Sequence, residues 1–141
     1  MKNYVIEKSK RAEYELVDEG IVAYNLSKVP FTQEPSFVHI NRVIKGPDGE
    51  VLAGIHSVLY CWKCLHIDVL WVKEECRKEG YGSALLVGIE TIAKVNGCNL
   101  IHLDTFDFQA KDFYLKHGYE IFGILDDCPS EHKRYYLKKN L

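Results

Sequence analysis

The sequence predicts a mixed α/β fold in a single domain. Strand-like and helix-like periodicities interleave in an irregular order along the chain. A glycine pair, Gly80-x-Gly82, stands between an apolar strand-like run and an amphipathic helical one. The 141 residues, 47% hydrophobic and 27% charged, are enough to close one core without disulfide staples.

The elements follow in order. Tyr4–Glu7 has the pattern of a short first strand, and Lys10–Asn25 that of a helix. Pro30 and Pro35 mark a loop, after which Phe37–Lys45 alternates as a strand and Gly46-Pro47-Asp48-Gly49 signals a turn. Val51–Tyr60 and Cys64–Val72 extend this into an antiparallel meander. Ser83–Asn96 places Leu85, Ile89, Ile92 and Ala93 on one helical face, and Asn96-Gly97 ends the helix. Asn99–Phe106 is strand-like, Gln109–His117 is a short helix closed by Gly118, and Tyr119–Leu125 and Arg134–Leu137 complete the set. The expected order is β-α-β-β-β-α-β-α-β-β, with about six to seven strands in one mixed sheet and residues 1–141 in one domain.

Bulk properties exclude several functions. A formal net charge of −2 lacks the basic footprint of a nucleic-acid partner. No apolar run is long enough to cross a bilayer, and the N-terminus has no apolar signal region, so a cytoplasmic location is expected. Five cysteines are an odd number for a disulfide framework. Cys61-Trp62-Lys63-Cys64 has knuckle spacing, but a structural zinc site needs four ligands and there is no second knuckle, so no metal is expected.

A loop rich in glycine between strand and helix can turn several backbone N–H groups toward one point, at the positive end of the helix. That is an anion cradle suited to phosphate or diphosphate. Arg77 and Lys78 add charge, and Ser83 adds a hydroxyl in the first turn. GxxxxGK[ST] is absent, and GxGxxG fails because the third position is Leu85. Gly-x-Gly alone fits a tight turn equally well.

Context separates the two readings. The run Leu70-Trp71-Val72-x4-Arg77-x2-Gly80-x-Gly82-Ser83 resembles the acyl-CoA motif of the GCN5-related N-acetyltransferase (GNAT) superfamily, whose core is [RQ]xxG-x-[GA]. Thirty residues on, Phe113-Tyr114-Leu115-Lys116-His117-Gly118-Tyr119 resembles the family's FYxKxGF segment. The segment from Phe106 through Gly123 and Pro129 is similar to that of small bacterial members.

The resemblance implies a sheet with one splayed pair of strands and acetyl-CoA as co-substrate. Its diphosphate would lie on the N–H groups of Lys78–Ser83, with Gly80 and Gly82 permitting close approach and Arg77 and Tyr81 beside it. Leu70 and Val72 would line the acyl arm, and the Val72 N–H would face the carbonyl oxygen. Gln109 stands near where relatives place a cofactor-binding asparagine, and Asp107 would be a poor neighbour for an anionic cofactor unless it points away. Tyr114 matches the tyrosine that relatives use as general acid, a phenol that stays protonated at neutral pH.

Strict alternation puts His66, Asp68, Leu70 and Val72 on one side of their strand. On that reading His66 or Asp68 is the base or ammonium anchor for the acceptor amine. Glu34, Tyr60 and Phe106 are candidates for the substrate side, whereas Trp71 is expected in the core. The resulting function is acetyl transfer to a primary amine, of a small molecule first and of a peptide or protein second. A coenzyme A-binding module without catalysis and an ATP- or NAD-binding protein are the rivals. An exposed sheet edge makes a homodimer plausible.

Overall fold

A computed structural model describes residues 2–141 of the chain. They form two compact units, one reaching to Phe31 and the other Thr32–Leu141. The first contains helix α1 (Arg11–Lys28), three residues longer at its C-terminal end than its periodicity suggests. The Glu13 carboxylate accepts the Lys10 N–H at 2.7 Å and so caps the first turn. No residue of α1 is buried. Tyr4–Glu7 is not a strand. Three apolar residues and a glutamate without a pairing partner do not hold an extended ladder.

The second unit is a seven-stranded mixed sheet with two helices. Its strands are β1 (Phe37–His39), β2 (Arg42–Lys45), β3 (Val51–Tyr60), β4 (Cys64–Val72), β5 (Leu100–Phe106), β6 (Glu120–Asp126) and β7 (Lys133–Asn140). Helix α2 (Tyr81–Val95) follows β4, and α3 (Lys111–Lys116) follows β5. The strand order is β1-β3-β4-β5-β7-β6, with β2 also paired to β3. The expected strand Phe37–Lys45 is therefore two strands. Ile40 turns into the core between them, and the Ser57 hydroxyl donates to its carbonyl at 2.5 Å. One expected strand is lost and another divides, which leaves the count at seven.

Burial on β3 alternates, with Ala53, Ile55, Ser57 and Leu59 buried on one face. Cross-strand partners share a face in an antiparallel pair, so Leu65, Ile67, Leu70 and Val72 of β4 join them. Ile101 and Leu103 of β5 and Leu137 of β7 complete this inner face, against Leu85, Leu86, Ile89 and Ala93 of α2. One buried charge belongs to the same packing. Glu90 of α2 accepts from Lys139 Nζ at 2.8 and 3.1 Å and from the Tyr119 hydroxyl at 3.3 Å, so its carboxylate is paired rather than orphaned.

The feature that positions the site lies between β4 and β5. They pair in parallel only through Cys64–His66 and Leu100–His102. Beyond that, β4 runs on to Val72 and β5 to Phe106 with no ladder between them. The cause is visible in the β3–β4 register. His56 pairs with Val69 and Ser57 with Ile67, so Asp68 is an extra residue in β4. Such a bulge bends and twists its strand, and here it turns the end of β4 away from β5.

Candidate active site

The gap between the diverging strands is a cleft of about 660 Å³. Ile67–Val72 form one wall and Leu103–Phe106 the other, with Gly82, Phe113 and Tyr114 contributed by α2 and α3. Lys73 N–H bonds the Leu52 carbonyl of β3 at 2.8 Å. Successive N–H groups alternate between the two edges of a strand, so the Val72 N–H points the other way, into the cleft.

At one end of the cleft the chain passes through a 3-10 turn, Glu74–Cys76, and then residues 77–80 into α2. Gly80 caps the helix with φ +86° and Lys78 has φ +67°. The first is natural for glycine; the second costs a side-chain-bearing residue about 1–2 kcal/mol. Among the described residues, no N–H from Lys78 through Ser83 has a partner within the chain, whereas the next, of Ala84, bonds the Gly80 carbonyl at 3.0 Å. Six consecutive unpartnered donors therefore lead into the positive end of a 15-residue helix. Arg77 Nε donates to the Val72 carbonyl at 3.2 Å, tying the loop to the cleft wall. The nearest atoms a Cβ on Gly82 would meet are in the Phe113 ring at 3.5 Å and Val72 at 3.7 Å, ordinary contact distances. Packing alone thus does not demand glycine at this position, which leaves space for a ligand as the reason.

Tyr114 sits on α3, buried to 6% exposure, and lines the same cleft. Burial, and then the charge of Asp104, push its phenol up to about 12. It is therefore a protonated donor at neutral pH. Asp104 itself is held in a salt bridge by Arg134, with contacts of 2.6 and 2.8 Å.

The bulge at Asp68 reorders the other end. His66 does not share a face with Leu70 and Val72, because the extra residue reverses the alternation between them. It pairs with Val58 on the outer face and lines a smaller recess of about 220 Å³ with His39, Asn41 and His56. Asp68 lines both that recess and the main cleft. Of the two base candidates, Asp68 alone touches the cleft. Trp71 is not a core residue either. It is 47% exposed and lines the cleft, since its cross-strand partner Gly54 offers no side chain to cover it and β5 has diverged.

Gln109 lines the cleft, but its Oε1 accepts from the Phe106 N–H at 2.8 Å and the Thr105 hydroxyl at 3.1 Å, closing the β5–α3 turn. Asp107 does not line the cleft; its carboxylate bonds His132 Nδ1 and the Lys133 N–H, each at 2.8 Å. Phe106 lines the cleft, stacked on Phe108 with ring centroids 5.2 Å apart. Tyr60 and Glu34 do not line it. The Tyr60 hydroxyl is 2.7 Å from His102 Nε2. Burial raises the Tyr60 pKa and burial lowers that of His102, with the neighbouring His66 adding to the latter. Both groups stay neutral, so the phenol donates and the imidazole accepts. Glu34 is exposed on the loop before β1.

Asp104 and Arg134 are cleft residues that sequence patterns did not single out. Asp104 and Arg134 meet only because β5 and β7 pair, and no local motif announces a contact across 30 positions.

Comparison with known proteins agrees with this architecture. The profile described as the Acetyltransferase (GNAT) family matches residues 7–119. A blasticidin-S acetyltransferase of Streptomyces morookaense is 35% identical over 97 residues, covering 68% of this chain and 71% of that protein. An acetyltransferase of Agrobacterium fabrum is 27% identical over 139 residues, 97% of this chain and 98% of its own. The crystal structure of an acetyltransferase from Bacillus cereus superimposes with a TM-score of 0.90 at 40% identity, covering 98% of both chains. Bulged strand, divergent pair, glycine loop and matched profile lead to one conclusion: the chain belongs to the GNAT acetyltransferase family.

Proposed function

We propose that this protein transfers the acetyl group of acetyl-CoA to a primary amine of a small molecule, by direct attack with both substrates bound. The observation that carries the proposal is the run of unpartnered N–H groups at Lys78–Ser83, opening onto a cleft with Tyr114 in its wall. A diphosphate presents the several acceptors and the negative charge that such a run requires. The relative named for blasticidin S supports a small-molecule acceptor.

The residues divide the work by position. The N–H groups of residues 78–83 bind the diphosphate, with Arg77, Lys78, Tyr81 and Ser83 around it. Leu70 and Val72 line the acyl arm, and the Val72 N–H donates to the carbonyl oxygen as negative charge develops there. Asp68 holds the incoming ammonium and passes its proton to water, the step that frees a nitrogen lone pair. His66, behind Asp68 in the outer recess, is a further acceptor for that proton. Attack forms the amide bond and breaks the carbon–sulfur bond, and the proton given up by nitrogen is matched by one gained at sulfur. Tyr114 supports the departing sulfur as acid. Its pKa of about 12 lies above the roughly 8.5 of a free alkyl thiol, so its hydrogen bond acts first and full proton transfer follows only as far as the cleft raises the thiol.

The test is calorimetric titration with coenzyme A together with thiol release from acetyl-CoA over a panel of small amines and peptides. Micromolar binding with turnover of a small amine is the expected result. Turnover of peptides alone would move the acceptor class. Tight binding with no turnover of any amine would identify a coenzyme A-binding module, and stabilisation by ATP or NAD but not by acetyl-CoA would overturn the assignment.

A further inference from the structure

His117 closes the short segment that carries Tyr114, yet its side chain reaches the other helix. Its Nε2 lies 3.0 Å from Ser83 Oγ, in the first turn of α2. Two contacts fix the residue there, and a third holds one of its partners. Its ring packs on Phe113 with centroids 4.8 Å apart, its backbone carbonyl accepts from Lys139 Nζ at 2.8 Å, and Lys139 is held by Glu90 of α2. The imidazole is thus held between α2 and α3, and the backbone that carries it is tied to β7, behind the serine that borders the unpartnered N–H groups.

We infer that His117 is a positioning residue for the diphosphate, donating its Nε2–H to Ser83 so that the serine proton is directed at a phosphate oxygen. This rests on the coenzyme A reading above. A hydroxyl has one proton and two lone pairs. If Ser83 donated to His117, Oγ would turn only lone pairs toward the anion and repel it. With His117 as donor, a lone pair of Oγ is occupied and its proton is free for the phosphate. An anionic ligand therefore selects the Nε2–H state of His117, and the relay adds a seventh donor to the six backbone ones. The same bond ties the ligand-binding end of α2 to the helix that bears Tyr114.

The inference is tested by calorimetry with coenzyme A and with pantetheine, which lacks the diphosphate. His117→Ala and Ser83→Ala should each weaken coenzyme A by about tenfold, and the double variant should be no weaker than the weaker single one. Pantetheine affinity should not move in any of them, and His117→Gln, which keeps an N–H donor, should recover part of the loss. In ¹⁵N spectra, Nε2 of His117 should be protonated with coenzyme A bound. Multiplying losses, an equal loss with pantetheine, or an Nε2 without a proton in the complex would overturn the inference. Unchanged coenzyme A affinity in folded His117→Ala would remove His117 alone, whereas a wild-type protein that binds no coenzyme A would remove the diphosphate reading with it.

Discussion

The two ends of the cleft are built from different materials. At the end proposed for the diphosphate the donors are unpartnered backbone N–H groups of Lys78–Ser83, in a loop with left-handed turns at Lys78 and Gly80 that leads into α2. At the acceptor end the groups are side chains, Asp68 and Tyr114, which meet across a gap opened by a single extra residue in β4. A backbone site tolerates changes of side chain provided the turn survives and nothing fills it. A side-chain site fails when one functional group is replaced and survives changes to the backbone around it poorly. The teaching is that binding and chemistry should be separable by mutation.

The largest effect should come from filling the backbone end. Gly82→Asp has room for its Cβ but puts a carboxylate at the proposed diphosphate position, and like charges in contact cost several kcal/mol. Coenzyme A affinity measured by calorimetry should fall at least about several hundredfold, with circular dichroism unchanged. Wild-type affinity in the folded variant would break the comparison at its first term.

Tyr114→Phe comes next. It removes a donor at the leaving sulfur and nothing at the diphosphate, so kcat should drop about a hundredfold while coenzyme A affinity holds. Stopped-time assays on both quantities separate chemistry from binding. A wild-type kcat, with chemistry shown to limit the rate, would remove Tyr114 from the mechanism.

Asp68→Asn sharpens the acceptor end. It should lower kcat/KM for the amine by about tenfold through a weaker ammonium contact, again with coenzyme A affinity intact. Deleting residue 68 removes the bulge yet keeps Leu65, Ile67, Leu70 and Val72 on one face, so that variant should fold. Because the bulge opens the gap proposed to take the acyl arm, coenzyme A binding and turnover should fall together; wild-type coenzyme A affinity in that variant would show that the bulge does not open the cleft.

The smallest effect is on stability at high pH. The Tyr114 phenol titrates near 12 in the folded protein against about 10 in the unfolded chain. Between those values the unfolded state has released a proton that the folded state retains. The buried phenol therefore stabilises the fold fully below pH 10, and that contribution, about 2–3 kcal/mol, is lost as pH rises through 12. Denaturant melts between pH 9 and 12 should show a shallower decline in Tyr114→Phe. Tyr119, whose pKa is also raised by burial and by Glu90, keeps a slope of the same sign in that variant.

This division also decides what a reader of the sequence can find. The glycine loop, α2 and the Phe113–Gly118 segment are specified within windows of a dozen residues, by glycine chemistry and helical period, and the structure has them in place. The reading of His66 and Asp68 as neighbours on one face with Leu70 failed because alternation assumes an uninterrupted ladder. Whether a strand bulges depends on its partner, and nothing in Leu65–Val69 marks Asp68 as the extra residue. Trp71 was misplaced for the same reason: its cover would have come from β5, which the bulge turns away. Tyr4–Glu7 has strand composition but finds no edge to join.

The central claim is that amide hydrogens of residues 78–83 hold the diphosphate of coenzyme A. It is tested most directly by following backbone amide resonances as coenzyme A is added, with pantetheine as the control. Large downfield proton shifts should concentrate at Lys78–Ser83 with coenzyme A and be missing there with pantetheine. Shifts confined to other parts of the chain, or the same shifts with both ligands, would contradict it.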